Sequence, residues 1–160
     1  MTGWRETGFG LGANLGDKAG HVREAAARLA RSGLVEALEL SSLWRTPPWG
    51  KTDQDWFVNA VAIGRTRASA DDLLALALSI EQAMGRVRAE RWGPRGIDVD
   101  LLFVGEERID RPGLTLPHPR IAERGFVLVP LAELRPGLMI EGRRADARAR
   151  DFAGEEIVRL

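Results

Sequence analysis

The apolar positions change period several times along the chain, and each change predicts a change of element. Phe9 to Leu11 begins a short apolar strand that breaks at Gly12-Ala13-Asn14-Leu15-Gly16, a small-residue turn. Val22, Ala26 and Leu29 then recur at helical spacing, and Ser32-Gly33 supplies a stop because glycine takes the left-handed conformation freely. A strand is predicted over residues 34–45, ended by Thr46-Pro47-Pro48-Trp49-Gly50, where the prolines remove backbone donors. Residues 56–66 alternate as a further strand. Ser69 with Asp72 forms a capping-box pattern opening a second helix, with Leu73, Leu76, Ala77, Ile80 and Met84 as its buried stripe and Gly85 as its end. An arginine-rich loop, 86–95, leads into the most apolar strand, Ile97 to Val104. A last strand is predicted over 126–129, after a polar, proline-containing segment from Leu116 to Gly125.

Strand, helix, strand, strand, helix, strand implies an α+β sandwich, a mostly antiparallel sheet with both helices on one face, and the expected topology is ferredoxin-like. The 160 residues show no compositional seam and no repeat, so a single domain over 1–160 is expected. Hydrophobic content of 44% suffices for a core without staples, and the absence of cysteine excludes thiol catalysis, Cys-ligated zinc and iron–sulfur clusters. Basic and acidic residues balance at 23 each, which points away from nucleic acid and anionic membranes. No apolar run approaches the roughly 20 residues of a membrane span, and no apolar signal segment opens the chain, so a cytoplasmic protein is expected.

Asp98 and Asp100 stand at i and i+2 of the predicted strand, so both carboxylates leave one face, with Cα atoms roughly 6–7 Å apart. Alternating aspartates on a strand are usually just solvated. Here they sit inside the most apolar strand, where unpartnered carboxylates carry a desolvation and repulsion cost, and an arginine cluster precedes them. Carboxylates at this spacing can hold hard cations, and Arg86, Arg88, Arg91 and Arg95 supply the opposite charge that phosphoryl transfer requires. The basic residues are nearly all arginine, with only Lys18 and Lys51 as lysines. Arginine's rigid fork suits bidentate phosphate contacts, although a high-GC genome explains most of the bias. No G-x-x-x-x-G-K-[ST] loop occurs, so a nucleotide must be held differently. His118, between Pro117 and Pro119, could donate to a phosphate but equally suits an ordinary loop; His21 looks solvent-facing. Trp49, Phe57, Trp92 and Phe126, with Asn59, could wall a flat heterocycle; core packing is the competing reading for Phe57 and Phe126.

The string Arg86-Val87-Arg88-Ala89-Glu90-Arg91-Trp92-Gly93-Pro94-Arg95-Gly96-Ile97-Asp98-Val99-Asp100 closely resembles the signature of the 6-hydroxymethyl-7,8-dihydropterin pyrophosphokinase family. Leu11 to Gly16, Arg45 to Gly50, Asp55 to Asn59, Ile80-Glu81 with Gly85, Pro117-His118-Pro119 and Arg124-Gly125-Phe126 match in order, over approximately residues 8–135. The resemblance implies diphosphate transfer from ATP to the pterin hydroxymethyl group, giving AMP and the pterin diphosphate. It implies two Mg²⁺ ions on Asp98 and Asp100, with Arg86 and Arg95 catalytic beside them. Glu81, Arg88, Trp92, Leu101, Leu114, Thr115, His118 and Arg124 would bind ATP, Trp92 also closing over the site. Thr46, Pro47, Trp49, Phe57, Asn59 and Phe126 would form the pterin pocket, and a monomer is implied. Leu78 stands where some relatives carry a polar residue, and the loop between Arg88 and Arg91 is one residue shorter than in some members. Two rivals are a catalytically silent ATP- or pterin-binding domain and an RNA-binding ferredoxin-like module; the intact acids and arginines oppose the first, and zero net charge with no aromatic sheet signature opposes the second.

Overall fold

The computed structural model describes residues 3–48, 55–85 and 96–160. In chain order the elements are β1 (Arg5–Ala13), α1 (Lys18–Ala30), β2 (Glu36–Leu40), β3 (Trp44–Thr46), β4 (Phe57–Thr66), α2 (Ala70–Ala83), β5 (Asp98–Val104), β6 (Ile109–Arg111), β7 (Leu114–Leu116), a 3₁₀ turn (Ile121–Glu123), α3 (Gly125–Leu134), β8 (Met139–Ile140), β9 (Arg143–Arg144), α4 (Ala145–Arg150) and β10 (Val158–Arg159). The main sheet runs β10-β3-β4-β1-β5, with β2 also paired to β4 and every pair antiparallel.

The single strand expected over 34–45 is present as two halves, β2 and β3, both lying along β4. Ser41 carries the ladder across the break. Its N–H donates to the Val61 carbonyl at 2.9 Å, and its hydroxyl accepts from the Val61 N–H at 2.9 Å, standing in for a strand carbonyl. Counting β2 and β3 as one bent strand gives the ferredoxin-like order. The first strand is longer than its apolar core suggested, because Gly8, Gly10 and Gly12 interrupt the hydrophobic pattern without interrupting the pairing.

Both predicted helices start where their caps lie. Asp17 accepts from the Gly20 N–H and Ser69 from the Asp72 N–H, satisfying one orphan donor at each start. Val22 and Leu29 of α1 and Leu73, Ala77 and Ile80 of α2 pack with Phe9, Leu11, Val58, Val99 and Leu101 on one sheet face. Each such side chain contributes about 1.5–3 kcal/mol on burial.

The strand predicted over 126–129 is instead the first half of α3. A short run of Phe-Val-Leu-Val carries no period that separates a strand from a fully buried helix. The second sheet face decides the outcome. Val61, Ile63, Leu102 and Phe103 point there, and Val127, Leu128 and Leu131, one stripe of α3, cover them. Helices therefore lie on both faces, α1 and α2 on one, α3 with α4 on the other. Among the described residues no helix is long and apolar enough to cross a membrane.

Candidate active site

Residues directly opposed across an antiparallel pair share a face. Gly8 lies opposite Ile63, Gly10 opposite Val61 and Gly12 opposite Asn59, so all three glycines face the α3 side. Asp98 is opposite Gly12 and Asp100 opposite Gly10, which puts both carboxylates on that face too. The packed stripe of α3 covers the Val61–Leu102 end. Toward the other end Gly10 and Gly12 form a floor with no side chains of its own, partly covered by Leu102 and by Asn59 Oδ1, with the Asn59 amide on one flank and the aspartates on the other. A Cβ on Gly12 would stand 2.4 Å from Asn59 Oδ1, so this position requires glycine if the amide is to keep its place. The sequence reading took Gly12 as a turn residue, and its strand role follows only from the pairing.

Asn59 and Thr46 are buried, and the Asn59 Nδ2 donates to Thr46 Oγ1 at 2.7 Å. This bond fixes the amide with Oδ1 over the glycine floor. Phe57 opposes Thr46 and is half-buried, as is Phe126, over which the Arg124 guanidinium stacks at 5.5 Å. Pro47 is exposed at the end of β3, and Trp49 lies outside the described residues.

Arg124 immediately precedes α3, with Nη1 3.8 Å from Asp100 Oδ2. Burial lowers its proton affinity, and Asp100 and Asp98 partly offset that. His118 donates its backbone N–H to the Leu102 carbonyl at 2.8 Å, anchoring it beside β5, while Nδ1 accepts from the Arg120 N–H at 3.2 Å. Burial first, then the nearby Arg124 and Arg120 charges, push its pKa down to about 4. At neutral pH the ring is thus uncharged, its proton on Nε2. The unfolded chain protonates His118 near 6.5 while the fold resists protonation to about 4, so stability present above pH 6.5 is lost as pH falls through that window. We expect His118→Gln to lose less melting temperature than the parent between pH 6.5 and 4 in a calorimetric pH series.

The ATP-side residues divide between locations. Glu81 is buried, and its Oε2 accepts the Val99 N–H at 2.8 Å, acting as a carboxylate cap on the outer edge of β5. Leu101 and Leu114 are buried on the α2 side of the sheet, and Thr115 is half-buried in β7. Thr115 and His118 also line a cleft of about 410 Å³ with Ile109, Ile121, Met139 and Ile140, a cavity the sequence did not announce. Leu78 is exposed on α2. Arg86, Arg88, Arg91, Trp92 and Arg95 lie outside the described residues.

Two residues differ from or extend the sequence reading. His21 is half-buried rather than solvent-facing, its ring beside Gly16. Lys18 had no assigned part, yet its ammonium bonds Asp55 at 2.8 Å and lies 3.5 Å from the centre of the Trp56 ring. The Lys18 bond is the main reason the Asp55 carboxyl titrates below its ordinary range. Its rarity as one of two lysines was the available signal.

Among the described residues no group of three or more His, Cys, Asp or Glu is placed to hold a metal. Asp98 and Asp100 nevertheless fit Mg²⁺, which needs only one or two carboxylates when substrate phosphates complete the shell.

A family model described as 7,8-dihydro-6-hydroxymethylpterin-pyrophosphokinase matches residues 8–136. The chain is 49% identical over 134 residues to a 2-amino-4-hydroxy-6-hydroxymethyldihydropteridine pyrophosphokinase of Methylorubrum extorquens, covering 84% of this chain and 85% of that one. It is 42% identical over 124 residues to the protein of the same name from Bacillus subtilis, covering 78% and 74%. A mitochondrial folate synthesis bifunctional protein of Arabidopsis thaliana is 41% identical over 129 residues, covering 81% of this chain and 23% of that protein. Among solved structures, an HPPK-DHPS of Plasmodium falciparum superposes with a TM-score of 0.76 at 13% identity, covering 96% of this chain and 42% of that one, a likeness of fold.

Proposed function

The chain belongs to the 7,8-dihydro-6-hydroxymethylpterin-pyrophosphokinase family, and on that premise we propose that it transfers the diphosphate of ATP to the hydroxymethyl group of 6-hydroxymethyl-7,8-dihydropterin in folate biosynthesis. The observation that carries this reading is the glycine floor between the Asn59 amide and the Asp98–Asp100 pair, beside Arg124 and Phe126. A flat heterocycle seated beside that strip puts its edge against the amide and its substituent toward the acids.

The pterin ring rests between Phe57 and Phe126, and the oriented Asn59 amide satisfies donor and acceptor positions on the heterocycle edge. Thr46 holds that amide, so its orientation is set before substrate arrives. Asp98 and Asp100 would hold two Mg²⁺ ions, which would supply charge neutralisation at the phosphates and acidify the attacking alcohol. Arg124 and the neutral His118 Nε2–H orient phosphate oxygens, with Arg86, Arg88 and Arg95 as further cationic contacts, Trp92 closing over the site, and Glu81, Leu101, Leu114 and Thr115 toward the nucleoside. The hydroxymethyl oxygen bonds to the β-phosphorus, the bond from that phosphorus to the α,β-bridging oxygen breaks, AMP leaves with the bridging oxygen, and the hydroxyl proton is released. In-line placement and charge neutralisation supply most of the acceleration. We assign the whole chain to one domain acting as a cytoplasmic monomer without a nucleic-acid partner, in keeping with its balanced charge.

The test is incubation with ATP, Mg²⁺ and 6-hydroxymethyl-7,8-dihydropterin, assayed for AMP against ADP. AMP that appears only when pterin is present is the expected result. ADP would mean single-phosphate transfer, and no turnover despite binding would favour a silent binding domain.

A further inference from the structure

We propose that the C-terminal segment 152–160 is a strap that positions both walls of the pterin cleft and so sets affinity for the pterin more than for ATP. The inference rests on the pterin reading of the cleft. The segment lies beyond the family-matched residues 8–136, yet its contacts fall on the site's frame.

One wall is the start of α3. A Cβ on Gly125 would meet Phe152 Cδ1 and Cγ at 2.8 Å and Ile157 Cδ1 at 2.9 Å, so the backbone of this first helical residue rests directly on those two side chains. Arg124 precedes it and Phe126 follows it. The height of Phe126 above the glycine floor is therefore set by how far Phe152 and Ile157 let the helix start settle.

The other wall is β3, which carries Thr46, the partner of Asn59. β10 pairs along it, with Val158 opposite Arg45 and Arg159 opposite Trp44, and the Leu160 N–H donates to the Leu43 carbonyl at 2.9 Å. The Arg159 guanidinium stacks on the Trp44 ring at 5.1 Å. From its other side Trp44 donates Nε1–H to Glu133 of α3 at 3.1 Å. Glu133 also accepts the Ser42 N–H at 3.0 Å and the Ser42 hydroxyl at 2.7 Å. Partial burial pushes its carboxyl up, and the bonds from Ser42 and Trp44 outweigh that and hold it below its ordinary range. The strap and Glu133 thus fix β3 to the far end of α3, beside the covered Val61 end of the face, while Phe152 and Ile157 hold the near end of the helix. Arg124 shares the strap-supported helix start with Phe126, but Asp98, Asp100 and His118 stand on the opposite flank of the floor and keep the nucleotide's other contacts, so a loosened strap disturbs the pterin side more than the nucleotide side.

Phe152→Ala and Ile157→Ala each leave a gap beneath Gly125, and misplacement of a binding wall by about 1 Å costs on the order of 10²-fold where geometry is tight. The experiment measures, by titration calorimetry with Mg²⁺ present, the Kd for 6-hydroxymethylpterin and separately for a non-hydrolysable ATP analogue, with circular dichroism reporting the folded fraction. The expected result is pterin Kd raised about tenfold or more in both alanine variants, ATP-analogue Kd raised by about threefold or less through Arg124, and substantial recovery in Phe152→Leu and Ile157→Val. Equal weakening of both ligands, or unchanged pterin Kd in folded variants, overturns the strap. Should the core variants not fold, Arg159→Ala, which removes the stack on Trp44 and a charge acting on Glu133, decides by the same split. If the parent protein binds the ATP analogue but no pterin, the reading of the cleft fails and the strap with it; a parent that binds pterin with variants that bind it equally well rejects the strap alone.

Discussion

Asp100→Ala, and equally Asp98→Ala, leaves a folded protein whose AMP formation falls by about 10²–10³-fold or more at saturating Mg²⁺, ATP and pterin. The two aspartates share the α3 face of β5, with Val99 turned into the opposite core. Removing one would halve the carboxylate oxygens available to the proposed Mg²⁺ ions and leave the developing phosphate charge against a depleted site. A loss of that size corresponds to about 2.7–4 kcal/mol of transition-state stabilisation. Stability should barely move, because the Asp100 side chain is 44% exposed and alanine removes repulsion between neighbouring carboxylates. Asp100→Ala also takes the charge 3.8 Å from Arg124, so phosphate orientation by that guanidinium should weaken with it. Single-turnover AMP formation beside a melting curve checks both halves. Turnover near the parent's at saturating Mg²⁺ would remove the acid pair from the chemistry.

The acids were legible because i, i+2 spacing in a strand fixes a common face whatever surrounds it. The two helices were legible from caps and stripes, which are local. Three features were not, and each depends on pairing across distant residues. The glycine floor needs the register of β1 against β4 and β5, since Gly12 looks like a turn former when read along the chain alone. The α3 helix needs the second sheet face, whose demand for cover turns a strand-like Phe-Val-Leu-Val run into a helix. The bend at Ser41 needs Val61 as partner, because only there does a hydroxyl replace a ladder carbonyl. The bond from the Val99 N–H to the Glu81 carboxylate likewise shows only once α2 is placed beside β5.

Asn59→Leu keeps the branched side-chain skeleton and removes the polar edge, and kcat/KM for the pterin should fall by about 10²–10³, roughly 3–4 kcal/mol at 1.4 kcal/mol per decade. A site built to hydrogen-bond a ligand edge loses heavily when one side is left unpaired, since the pterin's donors and acceptors then exchange water for hydrocarbon. The ATP-analogue Kd should stay within about twofold, because Asn59 stands across the glycine floor from the acids. Folding should lose only about 1 kcal/mol, for the buried bond to Thr46 Oγ1. Gly12→Ala separates the amide's chemistry from its placement. It retains every polar group, but its Cβ would stand 2.4 Å from Asn59 Oδ1 and must displace the amide. If orientation is what matters, Gly12→Ala reproduces most of the pterin defect with Asn59 intact, and the double variant is little worse than either single one. Additive losses in that cycle, read from steady-state kinetics with pterin varied at fixed ATP, would mean that Gly12 serves the ring's approach to the floor independently of the amide.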